Sequence, residues 1–213
     1  MKKILSLIVA LAMVLSCTAA LAEDMTVVVM PKLVGIPYFN ASETGALAAG
    51  EELGINVIYT GPTTGDAALQ VQMIEDLLID GIDALAIAPN DPDSVSPALQ
   101  KCQADGVLVM DWDTPANGDD VPDSIQQIDN KVLGEMLFDL LVEAMGTDEG
   151  EYAIVTGYLT AANLNTWIDF GKAYAAEKYP NLTLVTDPVP SDESAQEAYT
   201  QTMALIAAYP NLK

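Results

Sequence analysis

Side chains that could bind a polyhydroxylated ligand follow the predicted strands of this chain. The apolar run 26–30 predicts a buried strand, and Lys32 and the adjacent rings of Tyr38 and Phe39 come after it. Planar carboxylates and amides pair with hydroxyl groups, and aromatic rings stack on the apolar faces of such ligands. The candidate binding residues are Lys32, Tyr38, Phe39, Asn40, Trp112, Asp113, Asn163 and Asn165.

Several of these residues also have a purely structural interpretation. Trp112 lies at a strand end and could simply be a core residue. Asn40, followed by Glu43, matches the capping box that begins a helix. Asp91 and Asp93 could each cap the predicted helix that begins near residue 93, and Asp93 is the favoured cap. Two adjacent rings in a loop cannot both point inward, which favours a binding role for the pair after the first strand.

The candidate residues are positioned by a repeated strand–helix unit. Further strands are predicted at 55–59, 84–88 and 107–110, with helices of about a dozen residues between them. Such connections require parallel pairing and right-handed crossovers, hence a doubly wound α/β sheet. Ligands of these sheets bind beyond the carboxyl ends of the strands. After the turn-rich stretch 111–123, the alternation resumes at 124–128 and continues to a final helix at 193–208.

The first 22 residues have the pattern of a secretory signal peptide. A positive start at Lys2 and Lys3 precedes the apolar run 4–14, and Ala20-Leu21-Ala22 matches a cleavage site. An alternative is a lipoprotein anchored through Cys17. Either pattern predicts export to the periplasm or cell envelope. The predicted organisation is a signal peptide at 1–22, an α/β lobe at 23–123 and a partial second α/β lobe at 124–213.

The composition excludes several classes of function. The formal net charge is −23, and the chain has neither His nor Arg. Such a surface repels nucleic acid. The chain also lacks an imidazole base, a His metal site and an Arg clamp for anions. No glycine-rich nucleotide motif occurs, so we expect no cofactor, no metal and no enzyme activity. Paired carboxylates could in principle perform acid–base chemistry, but 31 acidic residues produce such pairs by chance.

Four segments carry a resemblance to a known family. Residues 31–35, 61–63, 92–99 and 112–113 resemble the periplasmic sugar-binding proteins of ABC importers, type I, in the branch that holds the autoinducer-2 and rhamnose binders. The resemblance covers residues 25–213, and residues 129–134 are similar to the segment where ribose binders cross into their second lobe. It implies a two-lobed protein, monomeric when full length, that closes on one sugar and delivers it to a membrane permease.

The resemblance also assigns roles to individual residues. Lys32 matches a ligand-contacting lysine of the autoinducer-2 binder, Asp113 matches its cleft aspartate, and Tyr38 and Phe39 match the stacking rings of the wider family. The second lobe departs from the pattern, because Asn163-Leu164 stands where that binder has Asp-Gln. The paired arginines of ribose binders are absent as well. These departures favour a neutral pentose, hexose or deoxyhexose over autoinducer-2 or ribose.

The family also implies a longer chain. Its members cross between lobes three times, whereas only one crossing, near 124–130, is present here. We therefore expect a C-terminally truncated second lobe with uncovered helix faces, and weaker sugar binding than in a full-length protein. Two alternative functions remain open. One is a ligand-sensing ectodomain that signals to a membrane receptor kinase, and the other is a sugar-processing enzyme.

Overall fold

The computed structural model describes residues 25–212, and the predicted signal peptide with Cys17 lies outside them. The first lobe contains β1 Thr26–Met30, α1 Pro37–Leu53, β2 Asn56–Tyr59, α2 Ala67–Asp80, β3 Ala84–Ile87, α3 Pro92–Ala104, β4 Leu108–Trp112 and β5 Asp123–Ile125. The second lobe contains α4 Asn130–Met145, β6 Glu149–Tyr152, β7 Val155–Thr156, α5 Ala162–Lys178, β8 Asn181–Leu184, β9 Val189–Pro190 and α6 Ala195–Ala208. Within residues 25–212, no helix has the length and apolar character needed to cross a membrane.

The first lobe is built around one parallel sheet with the strand order β2-β1-β3-β4-β5. All four neighbouring pairs are parallel, as the helical connections between the first four strands require. Val28 and Met30 of β1 and Leu85 and Ile87 of β3 are fully buried, and Leu99 of α3 packs in the same core. The predicted doubly wound α/β fold is confirmed.

The second lobe contains two short parallel strand pairs, β6 with β8 and β7 with β9. Its helices α4 and α5 cross at Gly134 and Gly171. The backbones approach so closely there that a Cβ on Gly134 would lie 2.5 Å from the carbonyl oxygen of Trp167. Beneath the crossing, the rings of Phe138 and Tyr152 pack edge to face with centroids 5.3 Å apart. This small core holds α4 and α5 against β6 and β8.

Large apolar side chains on α4 and α6 are exposed to solvent. They are Val132, Met136, Leu137 and Leu140 on α4, and Tyr199, Met203 and Ile206 on α6. Leu137 and Ala198 both line an open groove of about 670 Å³ beside β7. The expectation that helix faces of the second lobe are uncovered is therefore confirmed for the described residues.

The start of α1 differs from the prediction. This helix begins at Pro37, one turn before Asn40, and Ile36 precedes it without a side-chain cap. Proline fits the first helical position because its φ is already close to the helical value and its missing N–H is not needed there. The predicted capping box of Asn40 and Glu43 is therefore wrong, and Tyr38 lies in the first turn of the helix.

The start of α3 also differs. The carboxylate of Asp91 accepts a hydrogen bond of 2.9 Å from the Ser94 N–H and so caps the helix, whereas Asp93 lies within the first turn. The favoured assignment of Asp93 as the cap is wrong. A cap must have an extended backbone, and Asp91 has it, with φ −148° and ψ 112°.

The predicted lobe boundary coincides with the strand β5. β5 pairs with β4, residue 124 opposite Asp111, and so belongs to the first sheet. The boundary between residues 123 and 124 therefore falls inside a strand, and we propose to place it after Ile125. The predicted strand at 152–156 is interrupted between β6 and β7. The predicted strand at 182–186 corresponds to β8, and β9 follows separately.

Candidate functional site

Lys32 is the centre of a polar cluster between the two lobes. It follows β1, and its side chain is only 2% exposed. Its Nζ donates a hydrogen bond of 3.0 Å to Asn163 Oδ1, and it lies 3.4 Å from Asp113 Oδ2 and 3.9 Å from Glu193 Oε1. Asn163 and Glu193 belong to the second lobe. One buried ammonium group thus links the two lobes.

Two buried amides hold the backbone of Lys32 in place. The Asn90 side chain donates a hydrogen bond of 2.7 Å to the Lys32 carbonyl oxygen. Gln70 of α2 donates to the carbonyl oxygens of Pro31 and Ala88, at 3.3 and 2.9 Å, and accepts a hydrogen bond from the Asn90 N–H. Since these groups lie at the ends of β1 and β3, Gln70 ties the two strand ends together under the lysine.

Asp113 organises the first-lobe side of the cluster. It directly follows β4 and has a left-handed backbone, with φ 64°. Its Oδ1 accepts hydrogen bonds from Tyr38 Oη at 2.8 Å and Gln127 Nε2 at 3.0 Å. Its Oδ2 accepts from Thr114 Oγ1 at 3.1 Å and Asn163 Nδ2 at 3.4 Å. Burial, then the bond to Asp113, raises the pKa of Tyr38, so this phenol remains protonated and donates to the carboxylate.

The aromatic residues form a wall beside the cluster. Phe39 is buried, and its ring packs edge to face against Tyr38 at 5.0 Å and Trp112 at 5.7 Å between centroids. Trp112 donates its indole N–H to the Ala86 carbonyl oxygen at 3.2 Å. Trp112 therefore supports Phe39 from behind, and Phe39 faces the space between the lobes.

Glu193 enters the cluster from a constrained turn of the second lobe. Asp192 and Glu193 both have positive φ, 52° and 55°. The turn is anchored by Ser191, whose Oγ donates a hydrogen bond of 2.7 Å to the Thr156 carbonyl oxygen. Gly157 leaves room for the side chain, because a Cβ there would lie 2.9 Å from Glu193 Cγ. Burial raises the pKa of the Glu193 carboxyl; nearby Lys32 lowers it and Asp113 raises it further.

These side chains surround a cavity of about 220 Å³ between the lobes, called the cleft below. Its lining residues are Lys32, Ile36, Tyr38, Phe39, Asp113, Gln127, Asn163, Leu164, Trp167 and Glu193. The larger groove beside β7 is more apolar and opens to solvent. The cleft is the better candidate because convergent polar groups, rather than size, fix a ligand.

Five of the eight candidate residues line the cleft, and three do not. Lys32, Tyr38, Phe39, Asp113 and Asn163 line it. Asn40 is exposed on α1, one turn from the cleft. Trp112 lies behind Phe39, and Asn165 donates its amide to the Leu159 carbonyl oxygen at 2.8 Å.

Five cleft residues are not among the candidates: the apolar Ile36 and Leu164, and also Gln127, Trp167 and Glu193. Gln127 falls inside the predicted segment 124–128, whereas β5 ends at Ile125 and Gln127 follows it in the crossing between the lobes. Trp167 lies on α5, two residues after the candidate Asn165. The predicted last helix, 193–208, includes Glu193, but α6 begins at Ala195 after the cap Ser194. Ligands of parallel sheets bind beyond the carboxyl ends of the strands. Residues 187–193 follow the predicted strand at 182–186, so this principle also points to Glu193.

Within the described part of the chain, no group of three or more Cys, Asp or Glu side chains is arranged to hold a metal ion.

Comparison with known proteins agrees with this architecture. The profile of the periplasmic binding protein domain matches residues 27–213. The ribose import binding protein of Salmonella typhimurium is 26% identical over the whole chain, which spans 70% of that protein.

Two solved structures are similar as well. An ABC transporter solute binding protein from Burkholderia graminis in complex with D-arabinose superposes with a TM-score of 0.83 at 30% identity, covering 90% of this chain and 65% of that one. Another from Clostridium phytofermentas with bound L-rhamnose has a TM-score of 0.85 at 29% identity, covering 90% of this chain and 60% of that one. The chain thus spans less than two thirds of either structure. It belongs to the periplasmic binding protein domain family.

Proposed function

We propose that this protein is an extracytoplasmic solute-binding protein that captures a neutral monosaccharide or similar small polyol for uptake through an ABC permease. The observation that carries the proposal is the cleft itself, where Lys32 and Asp113 of one lobe meet Asn163 of the other around a cavity of about 220 Å³. This volume is below the range of about 300–1,000 Å³ that drug-sized ligands occupy. A single sugar ring suits it.

The charges of the cleft favour a neutral ligand. Lys32 is its one cationic side chain, and it faces the two carboxylates of Asp113 and Glu193. The chain has no Arg and a net charge of −23, so a sugar acid or sugar phosphate would be repelled and would find no guanidinium group to bind its charge. Hydroxyl groups, by contrast, can donate to carboxylates and accept from the ammonium and the amides. Phe39 and Trp167 supply aromatic surface for an apolar sugar face.

The named relatives support uptake over the alternatives. One imports ribose, and two solved neighbours hold D-arabinose and L-rhamnose. All of these are binding proteins rather than enzymes, and none supports the receptor-kinase alternative. Export to the periplasm and a permease partner follow from the same family membership and form part of the proposal. Leu164 still argues against autoinducer-2, because it replaces an amide that the ligand would use.

Replacing Asp113 by Ala tests the site. The change removes the acceptor that orders Tyr38, Gln127 and Lys32, and charge-assisted hydrogen bonds contribute ~1.5–3 kcal/mol each. We expect the sugar affinity to fall roughly tenfold to hundredfold. Titration calorimetry with neutral pentoses, hexoses and deoxyhexoses measures it. Asp119→Ala, which removes an exposed carboxylate, is the control. Absence of heat with every neutral sugar, or unchanged binding by the Asp113→Ala protein, contradicts the proposal.

Replacing Gly65 by Ala tests whether lobe closure supports binding. Gly65 donates its N–H to Tyr158 Oη of the second lobe at 3.0 Å, and a Cβ at Gly65 would overlap that ring. The tyrosine must move away, which weakens the closed arrangement and lowers the sugar affinity by about tenfold, or ~1.4 kcal/mol. Calorimetry compares it with Gly118→Ala, where a Cβ meets nothing within 4 Å. Equal affinities for the two variants would show that this contact does not matter for closure.

A further inference from the structure

We propose that Glu193, rather than Asp113, is the carboxylate that accepts hydrogen bonds from the ligand, and that Asp113 is a positioning residue. This inference rests on the proposed function and names the group that selects among sugars. It departs from the family resemblance, which points to Asp113.

The acceptor capacity of Asp113 is already used by the protein. An ionised carboxylate offers about four lone-pair sites. Asp113 receives hydrogen bonds from Tyr38 and Gln127 on one oxygen and from Thr114 and Asn163 on the other. The Lys32 ammonium adds a contact at 3.4 Å. A ligand hydroxyl could reach Asp113 only by displacing one of these donors.

Glu193 is in the opposite situation. Within residues 25–212, no group donates a hydrogen bond to its carboxylate, and Lys32 Nζ lies 3.9 Å away, beyond hydrogen-bond distance. The side chain is 16% exposed and lines the cleft. A largely buried carboxylate without donors is unfavourable, and a ligand that supplies hydroxyl donors removes that penalty.

The turn that carries Glu193 is constrained in a way that suits this role. A left-handed conformation is unfavourable for ordinary residues, and here Asp192 and Glu193 adopt it in succession. Ser191 anchors the turn, and Gly157 has no side chain where Glu193 passes. These features aim one specific side chain into the cleft, and they place it on the lobe opposite Asp113. The ligand then bridges the two lobes through Glu193.

The test is a mutant cycle between protein carboxylates and sugar hydroxyls. The probes are D-arabinose, L-rhamnose, D-ribose and D-allose, followed by the monodeoxy forms of the tightest binder. In Glu193→Gln, we expect the affinity for that sugar to fall about tenfold. One monodeoxy form should lack the hydroxyl that bonds to Glu193. We expect this form to bind the wild type weakly and to lose little further affinity in Glu193→Gln. In Asp113→Asn, we expect all affinities to fall, but the ratio of each deoxy form's affinity to that of the parent sugar should be the same as in the wild type.

The control is Asp192→Asn, which removes a charge from the adjacent exposed residue of the same turn and should leave binding unchanged, because Asn tolerates a left-handed backbone. Thermal unfolding of Glu193→Gln should match that of the wild type. Wild-type affinity in Glu193→Gln, or hydroxyl coupling to Asp113 alone, overturns the assignment while the proposed function stands. Absence of sugar binding by the wild type contradicts the proposed function and this assignment together.

Discussion

Replacing Lys32 by Met is expected to lower the free energy of unfolding by about 3–5 kcal/mol. Lys32 is the cation that faces Asp113, whose side chain is only 5% exposed, and it also donates to Asn163 across the cleft. Without the ammonium, the nearly buried Asp113 carboxylate loses its cationic partner, and Asn163 loses its donor. Methionine keeps the length and volume of the side chain, so the loss reports the charge rather than a cavity. Urea denaturation measures it.

The matched control is Lys131→Met. Lys131 also pairs with a carboxylate, Glu135 at 3.7 Å, but its side chain is 64% exposed. Exposed pairs of this spacing on a helix contribute only about 0.3–0.5 kcal/mol, because water screens the charges and the side chains lose freedom. Equal destabilisation by the two substitutions would mean that Lys32 is not the buried link between the lobes described above.

Replacing Gly134 by Val is expected to destabilise the second lobe by about 3 kcal/mol, at the upper end of overpacking effects. A Cβ at Gly134 would lie 2.5 Å from the Trp167 carbonyl oxygen and 3.0 Å from the Gly171 nitrogen. Both are backbone atoms, so no side-chain rotation relieves the clash, and α4 must move away from α5. Since Trp167 lines the cleft, the sugar affinity should fall as well.

Thermal and urea unfolding test this prediction against Gly45→Val. Gly45 lies on the exposed side of α1, where a Cβ meets nothing within 4 Å. Valine is a slightly better helix former than glycine, so this control should stay within about 0.5 kcal/mol of the wild type. If Gly134→Val is as stable as Gly45→Val, the close crossing of α4 and α5 does not exist in solution.

The alternation of strands and helices could be predicted from the sequence because parallel strands buried on both faces are continuous apolar runs. β1 is the clearest example, since the run 26–30 matches the observed strand Thr26–Met30. The same pattern led to Lys32 and Asp113, because the carboxyl ends of neighbouring parallel strands meet at one edge of the sheet.

The roles of the remaining site residues could not be predicted from the strand and helix pattern, because one short segment can match more than one local structure. Asn40 and Glu43 match a capping box, but Pro37 begins the helix earlier and turns Asn40 toward solvent. Glu193 looks like the acidic first turn of a helix, yet a left-handed turn keeps it out of the helix and in the cleft. Gln127 is brought there only by the crossing between lobes, which is a tertiary feature.

A crystal structure of the protein with its tightest-binding neutral sugar would show directly whether the cleft is the sugar site. We expect one sugar in the cleft, within hydrogen-bond distance of Lys32 and Glu193 and against the rings of Phe39 and Trp167. The lobes should remain in the closed arrangement that joins Lys32 to Asn163. Electron density for the sugar in the groove beside β7 would show that the cleft is not the binding site, and a sugar in the cleft that contacts neither Lys32 nor Glu193 would show that these two residues do not hold it.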